Sequence, residues 1–311
     1  GDNAQVGSSG NYNVALGAVA GSSALTGSYN IAAGYKSGYY ITSGESNVCI
    51  GKSAGESITS GSNNTFLGNN AGAATTTVSY NVGIGYEALK ANITGVNNVA
   101  IGQETLKSGT TANGNVGIGQ SALKANTTYC NTAIGYYSGK DITSGNYNTF
   151  IGSESGNATT TGIQNVAIGG EALTDNTTGS KNTAIGYSAL EKNTTAGNNT
   201  AVGHHSLHAN TTGDHNTAVG YQALEDNTTG GYNCSTGRFS LGTCTTGSEN
   251  TAFGNYALGT ITTPSNNTAI GSGAGMNMTT GANNTLLGCY AGYGSVNLTT
   301  GANNTLIGYQ A

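Results

Sequence analysis

The stretch NTAIGYSALEKNTTAGN at residues 182–198 contains the pattern that decides the fold. A close copy, NTAVGYQALEDNTTGGY, occupies residues 216–232. The glycine that closes the first five residues recurs eighteen times along the chain. Successive glycines are 17 residues apart, except for one step of 16 and one of 20. A period this short and regular predicts a stack of coils and not a globular enzyme domain.

Composition agrees with a repetitive chain. Only 7% of the residues are charged, against about 25% in a typical soluble protein. The 52 glycines would be compatible with disorder, but the apolar residues stay in strict register, which argues against it. Because no linker or shift in composition interrupts the repeat, we predict a single repetitive domain over residues 1–311, with an irregular start at 1–12 and an insertion near 293–297.

The positions of the repeat, numbered from its first Asn, indicate strands and turns. Position 4 is aliphatic in nearly every copy and position 2 is usually Thr or Val, so both lie on one face of a strand at positions 1–5. Glycine at position 5, and at position 15 in most copies, fits two turns. We therefore expect an all-β parallel β-solenoid, or β-roll, of about 18 coils stacked ~4.8 Å apart in a rod very roughly 80 Å long. The position-1 asparagines are expected to form a ladder along the stack.

Positions 9 and 12 vary together. Where position 9 is Leu, position 12 is usually Asn, as in Leu190 with Asn193. Where position 9 is Gly, position 12 is larger, as in Gly38 with Ile41. This pattern predicts one interior layer that is filled from either side, since close packing does not leave a layer empty.

The half-repeat NTAIGYxA resembles the head repeat of YadA-type trimeric autotransporter adhesins. The longer unit, with ALxxNTTG appended, is similar to repeats in bacteriophage tail-fibre proteins and related surface fibres. The resemblance covers practically the whole chain. It implies three parallel β-rolls packed about one axis, in an extracellular appendage or a virion fibre. The unit here is longer than the adhesin repeat, so the second half must form a wider coil.

From this resemblance we expect a non-enzymatic extracellular fibre or adhesin shaft, which acts as a mechanical spacer and presents a repeated surface for weak multivalent binding. A homotrimer is also expected on physical grounds, because one thin coil has a small core and packing three coils buries more apolar surface. The expected partners are further copies of the chain and cell-surface glycans. Alternative hypotheses are a subunit that stacks end to end into a filament, an ice-binding solenoid, and a polysaccharide-degrading tailspike.

Histidines and cysteines are the first candidates for a chemical site. His204, His205 and His208 lie close together in sequence and are weak candidates for metal ligands, although they occupy variable positions where other copies carry Tyr, Gln or Glu. Cys234 and Cys244 fall within one coil and are candidates for a disulfide.

Aromatic residues and sequons are candidates for glycan contacts. Tyr at position 6, as in Tyr187 and Tyr221, offers a ring for stacking on sugars, or partial cover for the solenoid surface. Asn-x-Thr sequons offer glycosylation sites, although the repeat generates them in any case. These sequons include Asn176, Asn193, Asn210 and Asn227.

Several function classes are disfavoured. The net charge of −5 is diffuse and no basic patch appears, so nucleic acid is not expected as a partner. No apolar run approaches the ~20 residues that span a membrane, so no membrane insertion is expected in this segment. No cofactor motif or catalytic motif is present, and no cofactor is expected. Glu87 and Glu104 share position 7 of adjacent coils beside lysines, which predicts a charge ladder on the surface and not a catalytic pair.

Overall fold

A computed structural model of the chain describes residue 4 and residues 9–21, 24–293 and 299–311. It divides into two compact units, Gly1–Ser153 (unit 1) and Glu154–Ala311 (unit 2). Apart from Tyr293, the predicted insertion near 293–297 lies outside the described residues, as does most of the irregular start at 1–12.

Each unit contains nine strands of three residues within the described ranges. The strands of unit 1 are β1 (Val14–Leu16), β2 (Ile31–Ala33), β3 (Val48–Ile50), β4 (Thr65–Leu67), β5 (Val82–Ile84), β6 (Val99–Ile101), β7 (Val116–Ile118), β8 (Thr132–Ile134) and β9 (Thr149–Ile151). The strands of unit 2 are β10 (Val166–Ile168), β11 (Thr183–Ile185), β12 (Thr200–Val202), β13 (Thr217–Val219), β14 (Cys234–Thr236), β15 (Thr251–Phe253), β16 (Thr268–Ile270), β17 (Thr285–Leu287) and β18 (Thr305–Ile307). No helix occurs among these described residues.

Within each unit, every strand pairs in parallel with the next strand along the chain. Partners are normally 17 residues apart, as in Thr183 with Thr200. The irregular steps do not disturb this register, because Val116 pairs with Thr132 and Thr285 pairs with Thr305. The extra and missing residues therefore lie outside the strands, and the predicted all-β parallel solenoid is confirmed.

The side chains of each strand alternate between the interior and the surface. In β11, Ala184 at position 3 is fully buried, whereas Ile185 at position 4 is 37% exposed. The same order, with an inner residue between two outer ones, recurs in β4 and β15. Positions 2 and 4 thus share a face as predicted, and this face is the outer one.

Glycine at position 5 is required for two reasons. Gly220 has φ +135°, a conformation that side chains with a Cβ rarely adopt. A Cβ built on Gly220 would also lie 2.6 Å from the carbonyl oxygen of Gly237 in the following coil. The backbones of successive coils therefore approach too closely at this corner for any other residue.

The predicted exchange between positions 9 and 12 is confirmed. In a coil with Leu at position 9 and Asn at position 12, both residues are fully buried, as Leu190 and Asn193 show. In a coil with Gly at position 9, the larger residue at position 12 takes that space. A Cβ built on Gly38 would lie 2.8 Å from Cδ1 of Ile41, so the Ile side chain occupies the volume that Leu fills elsewhere. Volume is thus conserved in the layer whichever position supplies it.

Buried asparagines form two ladders. At position 1, the backbone N–H of Asn216 donates to Oδ1 of Asn199 at 2.8 Å, and Nδ2 of Asn199 donates to the carbonyl of Gly213 at 2.9 Å. At position 12, Nδ2 of Asn193 donates to Oδ1 of Asn176 at 2.9 Å. The position-1 ladder was predicted, and it satisfies backbone groups as well as neighbouring amides.

Candidate functional site

The surface formed by positions 2 and 4 of the strands, here called the strand face, is apolar and exposed. In unit 2 its large exposed side chains at position 4 are Ile168, Ile185, Val219, Phe253, Ile270, Leu287 and Ile307. Apart from Ile307 on the last strand, β18, the most exposed of these side chains is Phe253, at 59%. Position 2 is Thr in most of these strands, and none of the eighteen described strands contains a charged residue. Contiguous exposed apolar surface of this kind marks interaction sites in soluble proteins.

The three candidate histidines come together as a stack of rings. The ring centroids of His204 and His205 are 4.2 Å apart, and those of His205 and His208 are 4.8 Å apart, with nearly parallel planes. Nδ1 of His205 lies 3.2 Å from Oε1 of Glu225, and Nε2 of His208 lies 3.2 Å from Oε2 of Glu191.

Stacked rings do not direct their nitrogens at one point, as a set of metal ligands must. Across the residues that the structure describes, no group of three or more His, Cys, Asp or Glu side chains has a metal-binding arrangement. The short spacing in sequence therefore brings these histidines together without forming a coordination site.

The predicted disulfide between Cys234 and Cys244 is wrong. Both thiols are free: Cys234 is exposed on β14, and Cys244 is buried at position 12. The two side chains thus lie on opposite sides of the coil wall. Burial raises the pKa of the Cys244 thiol to about 11, and that of Cys49 to about 12. These two thiols are therefore inert, since the thiolate is the reactive form.

The four sequon asparagines cannot carry a glycan in the folded coil, so that prediction is also wrong. Their side chains are fully buried. The amide nitrogen, to which a glycan would be attached, donates to a backbone carbonyl inside the coil; in Asn210 it donates to Gly213 at 3.0 Å. The sequon is a by-product of the Asn-Thr-Thr sequence that the ladder and the following turn require.

Tyr187 and Tyr221 lie in an exposed aromatic column on the turn that follows the strand. The ring of His204 stacks between them, with centroid distances of 5.5 Å to Tyr187 and 5.3 Å to Tyr221. The ring faces therefore cover one another, and the ring edges point towards solvent. Contact of these tyrosines with glycans stays a prediction, with the edges as the available part of each ring.

Arg238 continues this column and was missed by the sequence reasoning. Its guanidinium carbon lies 5.9 Å from the ring centroid of Tyr221, 4.7 Å from that of Phe239 and 5.3 Å from that of Tyr256. The available signal was that Arg238 is the one arginine in the sequence, at a position where the preceding copies carry Tyr221 and His204.

The predicted charge ladder is present in unit 1, although its member Glu87 is buried and not on the surface. Lys107 contacts Glu87 at 2.7 Å and Glu104 at 2.6 Å, while Lys90 and Lys124 extend the series at either end. Hydrogen bonds from Lys107 and then Lys90 lower the pKa of Glu87 to about 2. A carboxyl with so low a pKa is ionised at neutral pH and does not act as a general acid.

Two further observations concern sites of other kinds. The described part of the chain contains no pocket. It also contains no helix of the length and apolar character needed to cross a membrane.

Comparison with known proteins gives no family: no family model matches the chain, and no curated protein is similar to it. The resemblance to adhesin heads and tail fibres therefore rests on the repeat itself.

Proposed function

We propose that the chain is a shaft segment of an extracellular fibre, in which three parallel copies pack together through their strand faces. The observation that carries this proposal is the column of exposed apolar side chains at position 4, which is present in seven of the nine described strands of unit 2 beside uncharged neighbours. The resemblance to trimeric surface fibres supports three copies and a parallel arrangement.

The energy available from this face is adequate for association. Complete burial of an Ile, Val, Leu or Phe side chain contributes about 1.5–3 kcal/mol, so burying its remaining exposed part contributes about 1 kcal/mol. The seven position-4 side chains of unit 2 then give about 7 kcal/mol per copy on that estimate. Association costs about 4–15 kcal/mol in lost freedom. Forming a trimer from three chains involves two association steps, which cost about 8–30 kcal/mol. The three faces together contribute about 21 kcal/mol on the same estimate, a gain of the same size as the cost.

The interior supports the mechanical role of such a shaft. Backbone pairing links each coil to the next, and buried asparagines add side-chain bonds in the same direction. A ladder of this kind resists local opening, because each coil is tied to both neighbours. The variable turn positions are left to make repeated weak contacts with a host surface.

The experiment is the solution mass, measured by light scattering behind a size-exclusion column. We expect the mass of three chains. A double variant, Ile185→Asp with Ile270→Asp, should reduce it to one chain, because charges are introduced into the apolar face. The matched control Thr195→Asp with Thr280→Asp, at exposed positions away from the strand face, should leave the trimer intact. A wild-type mass of one chain would refute the proposal, and large heterogeneous species would favour the end-to-end filament.

A second candidate, ice binding, is favoured by one specific observation. Exposed threonines recur at position 14 through unit 2 and include Thr161, Thr178, Thr195, Thr212, Thr229, Thr246, Thr263 and Thr280. Regular hydroxyl spacing of this type is what an ordered water lattice would match. Inhibition of ice recrystallisation by the wild type, and its loss when alternate threonines of this series are changed to lysine, would support this candidate; no inhibition would eliminate it.

A further inference from the structure

The exposed column on the turn after the strand is formed by the position-6 side chains, and in unit 2 it changes from aromatic to polar at Arg238. Going along the stack, four successive coils present the exposed side chains of His204, Tyr221, Arg238 and Asn255. The guanidinium lies over the rings of Tyr221 and Phe239 at 5.9 and 4.7 Å. A guanidinium held on aromatic rings keeps its plane fixed and leaves its N–H edge open.

Arg238 has no carboxylate partner among the described residues. The ten ion pairs there involve lysines and histidines only. Arg238 is thus an exposed cation, placed over aromatic rings, without an anionic partner in a chain of net charge −5. Its fork of N–H donors matches the two oxygens of a carboxylate.

The spacing of the column identifies the kind of ligand. One polar side chain appears in each coil, and successive coils are separated by about 4.8 Å. Sugar residues of a linear polysaccharide recur at a similar distance. A polysaccharide lying along the column would therefore meet one of these side chains with each sugar.

We propose that this column binds a linear polysaccharide containing uronic acids, with a sugar carboxylate held bidentately by Arg238. Tyr221 and Asn255, on either side, contact the hydroxyls of the neighbouring sugars. The site rests on the proposed function, because it supplies the ligand class for an adhesive fibre surface, but it lies on a turn and not on the strand face.

The probe is an oligogalacturonate long enough to cross four coils, titrated calorimetrically into the full chain. Arg238→Gln should weaken binding by about tenfold or more, as expected for the loss of a charge-assisted pair. Arg238→Lys, which keeps the charge but loses the fork, should give an intermediate loss. Lys181→Gln is the matched control: it removes an equally exposed, unpaired cation of unit 2 and should leave the affinity within about twofold, as a distant screened charge does.

Three outcomes would overturn the proposal. The first is no binding of the oligogalacturonate by the wild type. The second is an equal loss of affinity in the Arg238→Gln and Lys181→Gln variants. The third is equal binding of the same oligomer after reduction of its carboxyls to alcohols. Either of the last two shows that the Arg238–carboxylate pair is not used. Solution mass, measured on the same samples, separates this result from failure of the trimer, because none of these substitutions touches the strand face.

Discussion

Replacing Asn199 with alanine removes one rung of the buried position-1 ladder. The Asn199 side chain is about 1% exposed. It accepts a hydrogen bond from the backbone N–H of Asn216 and donates one to the carbonyl of Gly213. Alanine can do neither. The Gly213 carbonyl keeps a second donor, Nδ2 of Asn210 at 3.0 Å, but the N–H of Asn216 stays inside the coil without an acceptor.

The magnitude follows from these two losses. A buried donor left without a partner costs about 1–3 kcal/mol, and the loss of one of the two hydrogen bonds to Gly213 costs about 1 kcal/mol. Together they give a loss of about 3 kcal/mol in the free energy of unfolding, large against the about 5–15 kcal/mol of a typical domain. Thr212→Ala, at an exposed position in the same coil, should change the free energy by less than about 0.5 kcal/mol.

Urea denaturation followed by circular dichroism measures the global loss, and hydrogen exchange measures it at the affected amide. In Asn199→Ala, the amide of Asn216 should exchange much faster, whereas amides several coils away should be unaffected. A loss below about 1 kcal/mol, with unchanged protection of the Asn216 amide, would refute the idea that the ladder is a main source of stability.

Three further predictions concern the corner glycine, the interior layer and the charge ladder. Gly220→Ala should destabilise the fold by several kcal/mol, about as much as a severe core mutation, because both φ and the close approach of Gly237 exclude a Cβ; thermal melting tests this, and a wild-type melting temperature would contradict it. Gly38→Leu should destabilise unit 1 because the new side chain overlaps Ile41, and Ile41→Asn should destabilise it because the interior layer is left unfilled. In a double-mutant cycle, the double variant should recover most of the lost free energy of unfolding. Simple additivity of the two losses would contradict the proposed exchange between these positions. Because the pKa of Glu87 is lowered, the stability contributed by its carboxylate is present above the ordinary pKa of 4.5 and is lost as the pH falls towards about 2. Glu87→Gln should therefore show a smaller fall in melting temperature over that pH range than the wild type. An identical fall in both proteins would count against this prediction.

The period of the sequence was sufficient to predict the fold. Strict recurrence of glycine at position 5 and alternation at positions 2 and 4 fix the parallel register, as Thr183 opposite Thr200 illustrates. The compensation between Gly38 and Ile41 could also be predicted from the sequence. A filled interior layer fixes the total side-chain volume, which either position 9 or position 12 can provide.

The sequence did not show which face of each strand is buried. Hydrophobicity alone would place Ile185 inside, yet the interior of this thin coil accepts Ala184 and leaves Ile185 outside. For the same reason Cys234 and Cys244, close in sequence, lie on opposite sides of the coil wall.

The asparagines and the arginine were misjudged because context decides their role. Asn210 matches a sequon, but its amide is committed to the interior ladder. Arg238 stands alone in the sequence, and only the arrangement of rings around it shows that its guanidinium is oriented.

The central claim is that the strand face is buried between copies, and the chain's own cysteines test it. Cys234 lies exposed on the strand face of an isolated chain, and Cys130 lies exposed outside the strands. The measurement is the rate of alkylation at each thiol in the native protein at neutral pH, followed by peptide mass spectrometry. The account predicts rapid labelling of Cys130 and strong protection of Cys234, with protection abolished in the Ile185→Asp, Ile270→Asp variant. Equally rapid labelling of both cysteines in the wild type would show that the strand face is open to solvent and would contradict the account.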